Sequence, residues 1–133
     1  MNVLLDTHAF LWHVTESDHL SSAARKAIHK ADQVLVHAIS AWEIGMLVSK
    51  GRLALAYDVG EFISRSHGIR KIQWIPMTPD LAVKGSHLPG DAQGQVHGDP
   101  ADRIIAATSL SLGIPLITSD RKLRTNPHLQ TIW

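Results

Sequence analysis

The 133-residue chain contains no cysteine. That excludes a disulfide framework, a thiolate zinc site and a cysteine nucleophile. It also lacks a marked excess of charge, with 13 Lys and Arg against 12 Asp and Glu. No bulk basicity announces a nucleic-acid binder, so any such reading rests on local arrangement. No apolar run is long enough to span a bilayer, and the most apolar stretch, Val34 to Val48, is interrupted by His37, Glu43 and Gly45. The N-terminus has no basic region and Asp6 breaks its apolar run, so no signal peptide and no membrane span are expected, and the expected location is cytoplasmic. The segment Gly90 to Gly98 holds neither a GxGxxG nor a Walker motif, so no nucleotide cofactor is indicated. What remains is a globular composition, 44% hydrophobic and 19% charged, in a length that suits one domain over residues 1–133.

The chain alternates short apolar runs with amphipathic segments. Val3 to Leu5 and Val34 to Val36 read as buried strands and Ile72 to Ile75 and Pro115 to Thr118 as further strands, with Leu129 to Ile132 as a fifth candidate. Helices are expected at Ala9 to Val14 and from Ser21, with Ala24, Ala27 and Ile28 on one face. Another should begin at the capping box Ser40 to Glu43 and stop at Gly51. Asp58 with Glu61 opens a further helix that Gly68 ends, and Thr78-Pro79 opens the next. His87 to Gly98 reads as loop. Asp99-Pro100 opens a strong helix through Leu112, closed by Gly113. Such alternation builds βαβ units, hence an α/β domain with a parallel sheet covered on both faces.

Ligands of open α/β sheets sit beyond the carboxyl ends of the strands. Asp6 follows the first strand, and Glu43 falls in the first turn of the helix after the second. Asp99 and Asp102 open the late helix, and Asp120 follows the strand Leu116 to Thr118. Carboxylates gathered at one edge repel unless paired, and a hard divalent cation removes the conflict. Such an ion polarises a phosphoryl oxygen and lowers the pKa of bound water, which is the chemistry of phosphodiester hydrolysis. Each acid also has a structural reading. Glu43 is the third helical residue of a capping box with Ser40, Asp99 is a ready N-cap, Asp102 is favoured by the helix dipole, and Asp6 and Asp120 suit turns. Thr7, Thr118 and Ser119 are hydroxyl neighbours that could support the acids or serve turns. His8, His13, His37 and His97 could flank the site, but none forms a ligand pair at helical spacing. Trp12 and Trp42 read as core or interface aromatics. The clusters Arg25-Lys26 with Lys30 and Arg121-Lys122 with Arg124 could meet phosphates or simply face solvent.

Four motifs, Leu4-Leu5-Asp6-Thr7-His8, Ser40-Ala41-Trp42-Glu43-Ile44, Gly98-Asp99-Pro100-Ala101-Asp102-Arg103 and Pro115-Leu116-Ile117-Thr118-Ser119-Asp120-Arg121, together resemble PIN-domain ribonucleases. The nearest subgroup is the VapC-type toxins of bacterial toxin–antitoxin pairs. The resemblance spans nearly the whole chain in the family's order; each motif alone is weak, and the four in sequence are specific. It implies a three-layer α/β/α domain with a central, mainly parallel sheet, and an endoribonuclease dependent on Mg²⁺ or Mn²⁺. Asp6, Glu43, Asp102 and Asp120 match the metal-holding acids of the family, and Asp99 matches an accompanying cap or outer helper. Arg103 and Arg121 become candidates for contact with RNA phosphates. The implied partners are an RNA substrate, a cognate antitoxin that covers the acidic cleft, and a second copy in a homodimer. Two rival readings are a nuclease of this fold in RNA processing or repair, and a non-catalytic RNA- or protein-binding module.

Overall fold

Every residue except 91, 92 and 96 is described by the computed structural model. The expected loop from His87 to Gly98 therefore lies partly outside the described residues. The elements run β1 (Val3–Leu5), α1 (Thr7–Val14), α2 (Ser22–Lys30), β2 (Val34–His37), α3 (Ala38–Ser49), α4 (Val59–Ser66), β3 (Ile72–Ile75), α5 (Pro79–Ser86), α6 (Pro100–Leu112), β4 (Leu116–Ile117), α7 (Arg121–Arg124) and β5 (Thr131–Ile132). No helix among the described residues is long and apolar enough to cross a membrane.

The apolar runs of β1, β2 and β4 form the centre of the sheet because their side chains are buried on both faces, while the edge strands β3 and β5 are only partly covered. Val3 and Leu5 of β1 alternate with Leu4, and Val34 and Val36 of β2 alternate with Leu35. Val3, Leu5, Val34, Val36 and Ile117 join one core with Phe10, Ala24, Ile28, Ile44 and Phe62 from α1 to α4. Leu4, Leu35 and Leu116 join the other with Ile105 and Ala106 of α6 and Leu123 of α7. The result is three layers. The five strands lie in the order β3-β2-β1-β4-β5, and every pairing is parallel. The chain steps outward from β1 through β2 to β3, then returns to the far side of β1 for β4 and β5. The direction of winding therefore reverses between β1 and β4, which opens a crevice at their carboxyl ends.

Local chemistry explains most boundaries. Asp99 caps α6 by accepting the Asp102 N–H at 3.0 Å, Pro100 occupies its first turn, and Gly113 closes it in the left-handed region at φ 64°. The helix expected from Ala9 begins instead at Thr7, because the Asp6 side chain caps it by accepting the Ala9 N–H at 2.8 Å. The capping box expected at Ser40 does not form. β2 passes directly into α3 at Ala38, and the His37 Nδ1 caps the helix by accepting the Ile39 N–H at 2.9 Å. Ser40 is thereby a buried interior residue, and Glu43 lies in the second turn rather than the first. Capping no longer accounts for Glu43.

α5 lies directly against α6 and so helps to fix the helix that carries Asp102. Contact is close at Gly85, where a β-carbon would stand 3.1 Å from the Ile104 Cγ1 and 3.4 Å from its backbone Cα. The Gly85 carbonyl also accepts from the Arg103 Nε at 3.0 Å. Gly85→Val should therefore overpack the helix pair and lower stability by about 1–3 kcal/mol, read as a lower midpoint of urea unfolding at unchanged slope.

Candidate active site

The crevice between β1 and β4 holds a cavity of about 200 Å³ lined by Asp6, Glu43, Asp99, Asp102 and Asp120, with Thr7, His8 and Ser119 between them. Five carboxylates from four separate segments of the chain meet there. Three of them are helix caps. One oxygen of Asp6 accepts from Ala9 at the start of α1, one of Asp99 from Asp102 at the start of α6, and one of Asp120 from Leu123 at the start of α7. Each cap leaves its second oxygen for other work.

Asp6 is almost fully buried, and its second oxygen accepts the Thr118 hydroxyl across the crevice. Burial pushes its carboxyl above the ordinary range, and the Thr118 and Ala9 hydrogen bonds pull partly the other way. Thr118 holds Asp120 too, because its hydroxyl oxygen accepts the Asp120 N–H at 3.0 Å. Thr7 donates to the Glu43 carboxylate, while the Thr7 and Ser40 hydroxyl oxygens lie 2.9 Å apart. Burial raises the Glu43 carboxyl, the Thr7 hydrogen bond opposes this, and the Asp99 charge adds to it. Asp102 is the most perturbed. Burial first, then repulsion from Asp99, Glu43, Asp120 and Asp6, pushes it up to about 8.

His97, which lacked a partner at helical ligand spacing, is part of the cluster. Its side chain is only 9% exposed, with Nε2 3.1 Å from the Asp102 carboxylate and 3.3 Å from that of Asp120. Its Nδ1 accepts the Asp99 N–H at 3.0 Å, so Nε2 carries the proton that faces the two acids. The sequence signal was the short step His97-Gly98-Asp99, which lets an imidazole fold back onto the helix start. Two groups of side chains bring their ligand atoms within 4.8 Å of one another: His97, Asp102 and Asp120, and Glu43, Asp99 and Asp102. Asp102 belongs to both. Asp6 belongs to neither, although it lines the same cavity.

The other singled-out residues separate. His8 is exposed at the cavity, whereas His37 is fully buried beneath α3 as its cap. His13 is half-buried, and burial lowers its pKa. Trp12 packs partly on the core and stacks on His19 at 5.3 Å between ring centroids, but Trp42 is 59% exposed and is no core residue. Arg103 gives its Nε and Nη2 to the carbonyls of Gly85 and Ser86. Arg121 is exposed, in the first turn of α7.

The donor set fits a hard divalent cation. It offers carboxylate oxygens from several segments and one imidazole, and it contains an acid that only a proton or a cation can keep comfortable there. Acids converging where a parallel sheet reverses its winding place this chain among α/β domains with a switch-point site, and the PIN-domain family model matches residues 3–129; the chain belongs to that family. It is 37% identical over 133 residues to Ribonuclease VapC22 of Mycobacterium tuberculosis, covering 98% of each chain. Among solved structures, VapBC2 of Rickettsia felis matches its fold with a TM-score of 0.66 at 15% identity, over 98% of this chain and 97% of that one. VapC20 of Mycobacterium tuberculosis, described as a sarcin–ricin loop cleaving toxin, matches with a TM-score of 0.64 at 11% identity, over 96% and 98%.

The raised Asp102 carboxyl has a measurable consequence. Without metal the folded chain keeps this proton up to about pH 8, whereas the unfolded chain releases it near 3.8. Between those limits the folded state binds more protons, so this group makes stability fall as pH rises, by at most about 1.4 kcal/mol per pH unit. Asn at 102 removes that dependence. In a chelator, the stability of Asp102→Asn relative to the wild type should therefore climb steadily from pH 5 to pH 8. A difference that stays flat with pH in urea unfolding would place Asp102 in an ordinary environment.

Proposed function

We propose that the chain is a divalent-metal-dependent endoribonuclease, using Mg²⁺ with Mn²⁺ as the alternative, and that it serves as the toxin of a type II toxin–antitoxin pair. The observation that carries this reading is the convergence of Asp6, Glu43, Asp99, Asp102 and Asp120 in one cavity at the β1/β4 crevice. Family membership and the ribonuclease relative support RNA as the substrate. The toxin–antitoxin complexes that share the fold support a protein antitoxin as partner. A homodimer working in the bacterial cytoplasm completes the proposal.

In this reading Asp6, Glu43, Asp102 and Asp120 hold the cation. A bound divalent cation supplies Lewis-acid polarisation of the phosphoryl oxygen and a lowered pKa for coordinated water. The protein supplies placement. Thr118 fixes the Asp6 carboxylate and the Asp120 backbone together, so the ends of β1 and β4 keep one spacing. Thr7 orients Glu43 from across the crevice. Asp99 caps α6 and thereby sets where Asp102 projects. Ser119 lines the cavity as a polar neighbour. Arg121, free of the carbonyl contacts that engage Arg103, is the first candidate for an RNA phosphate.

The test compares Asp102→Asn, Asp6→Asn and Asp99→Asn on RNA with Mg²⁺ and with chelator. Asp102→Asn and Asp6→Asn should each lose more than about 100-fold in cleavage, beyond the 10–100-fold typical of residues behind the ligands. Asp99→Asn should keep most activity, because asparagine caps about as well as aspartate, whereas Asp99→Ala should lower stability by about 0.5–2 kcal/mol. Wild-type cleavage that persists in chelator, or an active Asp102→Asn, would refute the metal-dependent reading.

A further inference from the structure

A second cavity, of about 210 Å³, adjoins the acidic one and shares Glu43 and Asp99 with it. It lies between α3 and the first turn of α6. Its far wall carries Trp42, Met46, Lys50 and Arg52. Glu43 and Met46 share one face of α3 at helical spacing, and Lys50, which caps the helix C-terminus, continues that spacing about 10 Å along the axis from Glu43. The Arg52 N–H returns to the Leu47 carbonyl at 2.9 Å, which brings the residue after the helix back to the same wall. Among the described residues neither Lys50 nor Arg52 forms an ion pair. Trp42 leaves 59% of its surface in solvent at the mouth of this cavity. A large exposed indole is unusual in a helix whose Ile39, Ile44 and Leu47 pack on the two cores.

The groove therefore changes character along its length, from carboxylates through an aromatic face to two unpaired cations. We propose that it is a subsite for single-stranded RNA, with Trp42 stacking a base next to the reacting phosphate and Lys50 and Arg52 holding a phosphate further along the strand. This rests on the ribonuclease reading and adds a position for the strand. Flat aromatic faces beside cations bind single strands in this way, because every base has a face to stack. The charge order argues against an acidic peptide, which would place carboxylates near Glu43 and Asp99 with no metal-bridged phosphate to separate them.

The test measures binding of a fluorescein-labelled ten-nucleotide single-stranded RNA to the full chain by anisotropy, in chelator so that no cleavage occurs, at three salt concentrations. Wild-type cleavage of the same RNA in Mg²⁺ is measured in parallel. Trp42→Ala should weaken binding by about 5- to 150-fold, the loss of one stacked base, while Trp42→Phe keeps most of the affinity. The double variant Lys50→Ala/Arg52→Ala should lower the salt slope by about 0.7, the one phosphate the pair holds on a single strand. A wild type that cuts and binds the RNA, with variants that bind it equally well, overturns the subsite and leaves the ribonuclease reading standing. A wild type that neither binds nor cuts RNA overturns both. Variants that bind RNA normally but lose a protein antitoxin overturn the subsite and assign the face to that partner.

Discussion

Asp6 has one carboxylate and two structural obligations. One oxygen starts α1, and the other receives a hydroxyl proton from Thr118 at the end of β4. These two bonds join the first helix to both strands that flank the reversal of the sheet. The group is nearly dry, so leaving either oxygen unpartnered would cost on the order of 1–3 kcal/mol, more for a charged form. The cavity exists because this junction is held at a fixed width. The same Thr118 that steadies Asp6 also receives the Asp120 amide, so the first and last acids of the site are registered to each other through one side chain.

The cluster would be untenable as five bare charges. Three features of the chain temper it. The N-termini of α1 and α6 donate the Ala9 and Asp102 amides to the Asp6 and Asp99 carboxylates, and helix N-termini favour negative charge. His97 places an N–H between Asp102 and Asp120. Asp102 keeps a proton until about pH 8. These measures temper the repulsion among the acids, and the two groups of close ligand atoms that remain could hold a cation.

What was legible in the sequence was local. The α6 boundaries, Asp99 as its cap and the apolar strands follow from neighbours within a few residues, and the structure reproduces them. The positions of Asp6, Glu43, Asp102 and Asp120 at one sheet edge followed from strand and helix order alone. The cap of α3 did not, because Ser40-Ala41-Trp42-Glu43 satisfies the local pattern equally well. The choice of His37 depends on β2 running straight into the helix beneath a packed layer. The Thr7 bond to Glu43 and the His97 contact with Asp120 were hidden for the same reason: each joins segments that only the folded sheet brings together. Of the core or interface role expected for Trp42, the core half fails, because the residue lies on a face of α3 that stays 59% exposed.

The double use of Asp6, Asp99 and Asp120, each giving one oxygen to a helix amide while lining the cavity, also shapes how such a gene can change. Any aspartate codon becomes an asparagine codon by a single G-to-A transition. Asparagine keeps the capping oxygen and drops the charge, so the helix start survives while the electrostatics of the cavity are rewritten. Alanine, which would uncap the helix as well, requires a different base change and removes both roles together. Mutational drift at these three positions therefore has a short path to chains that fold but carry a less acidic cavity, and that path is unavailable at Glu43, whose codon reaches no asparagine or glutamine by the same transition.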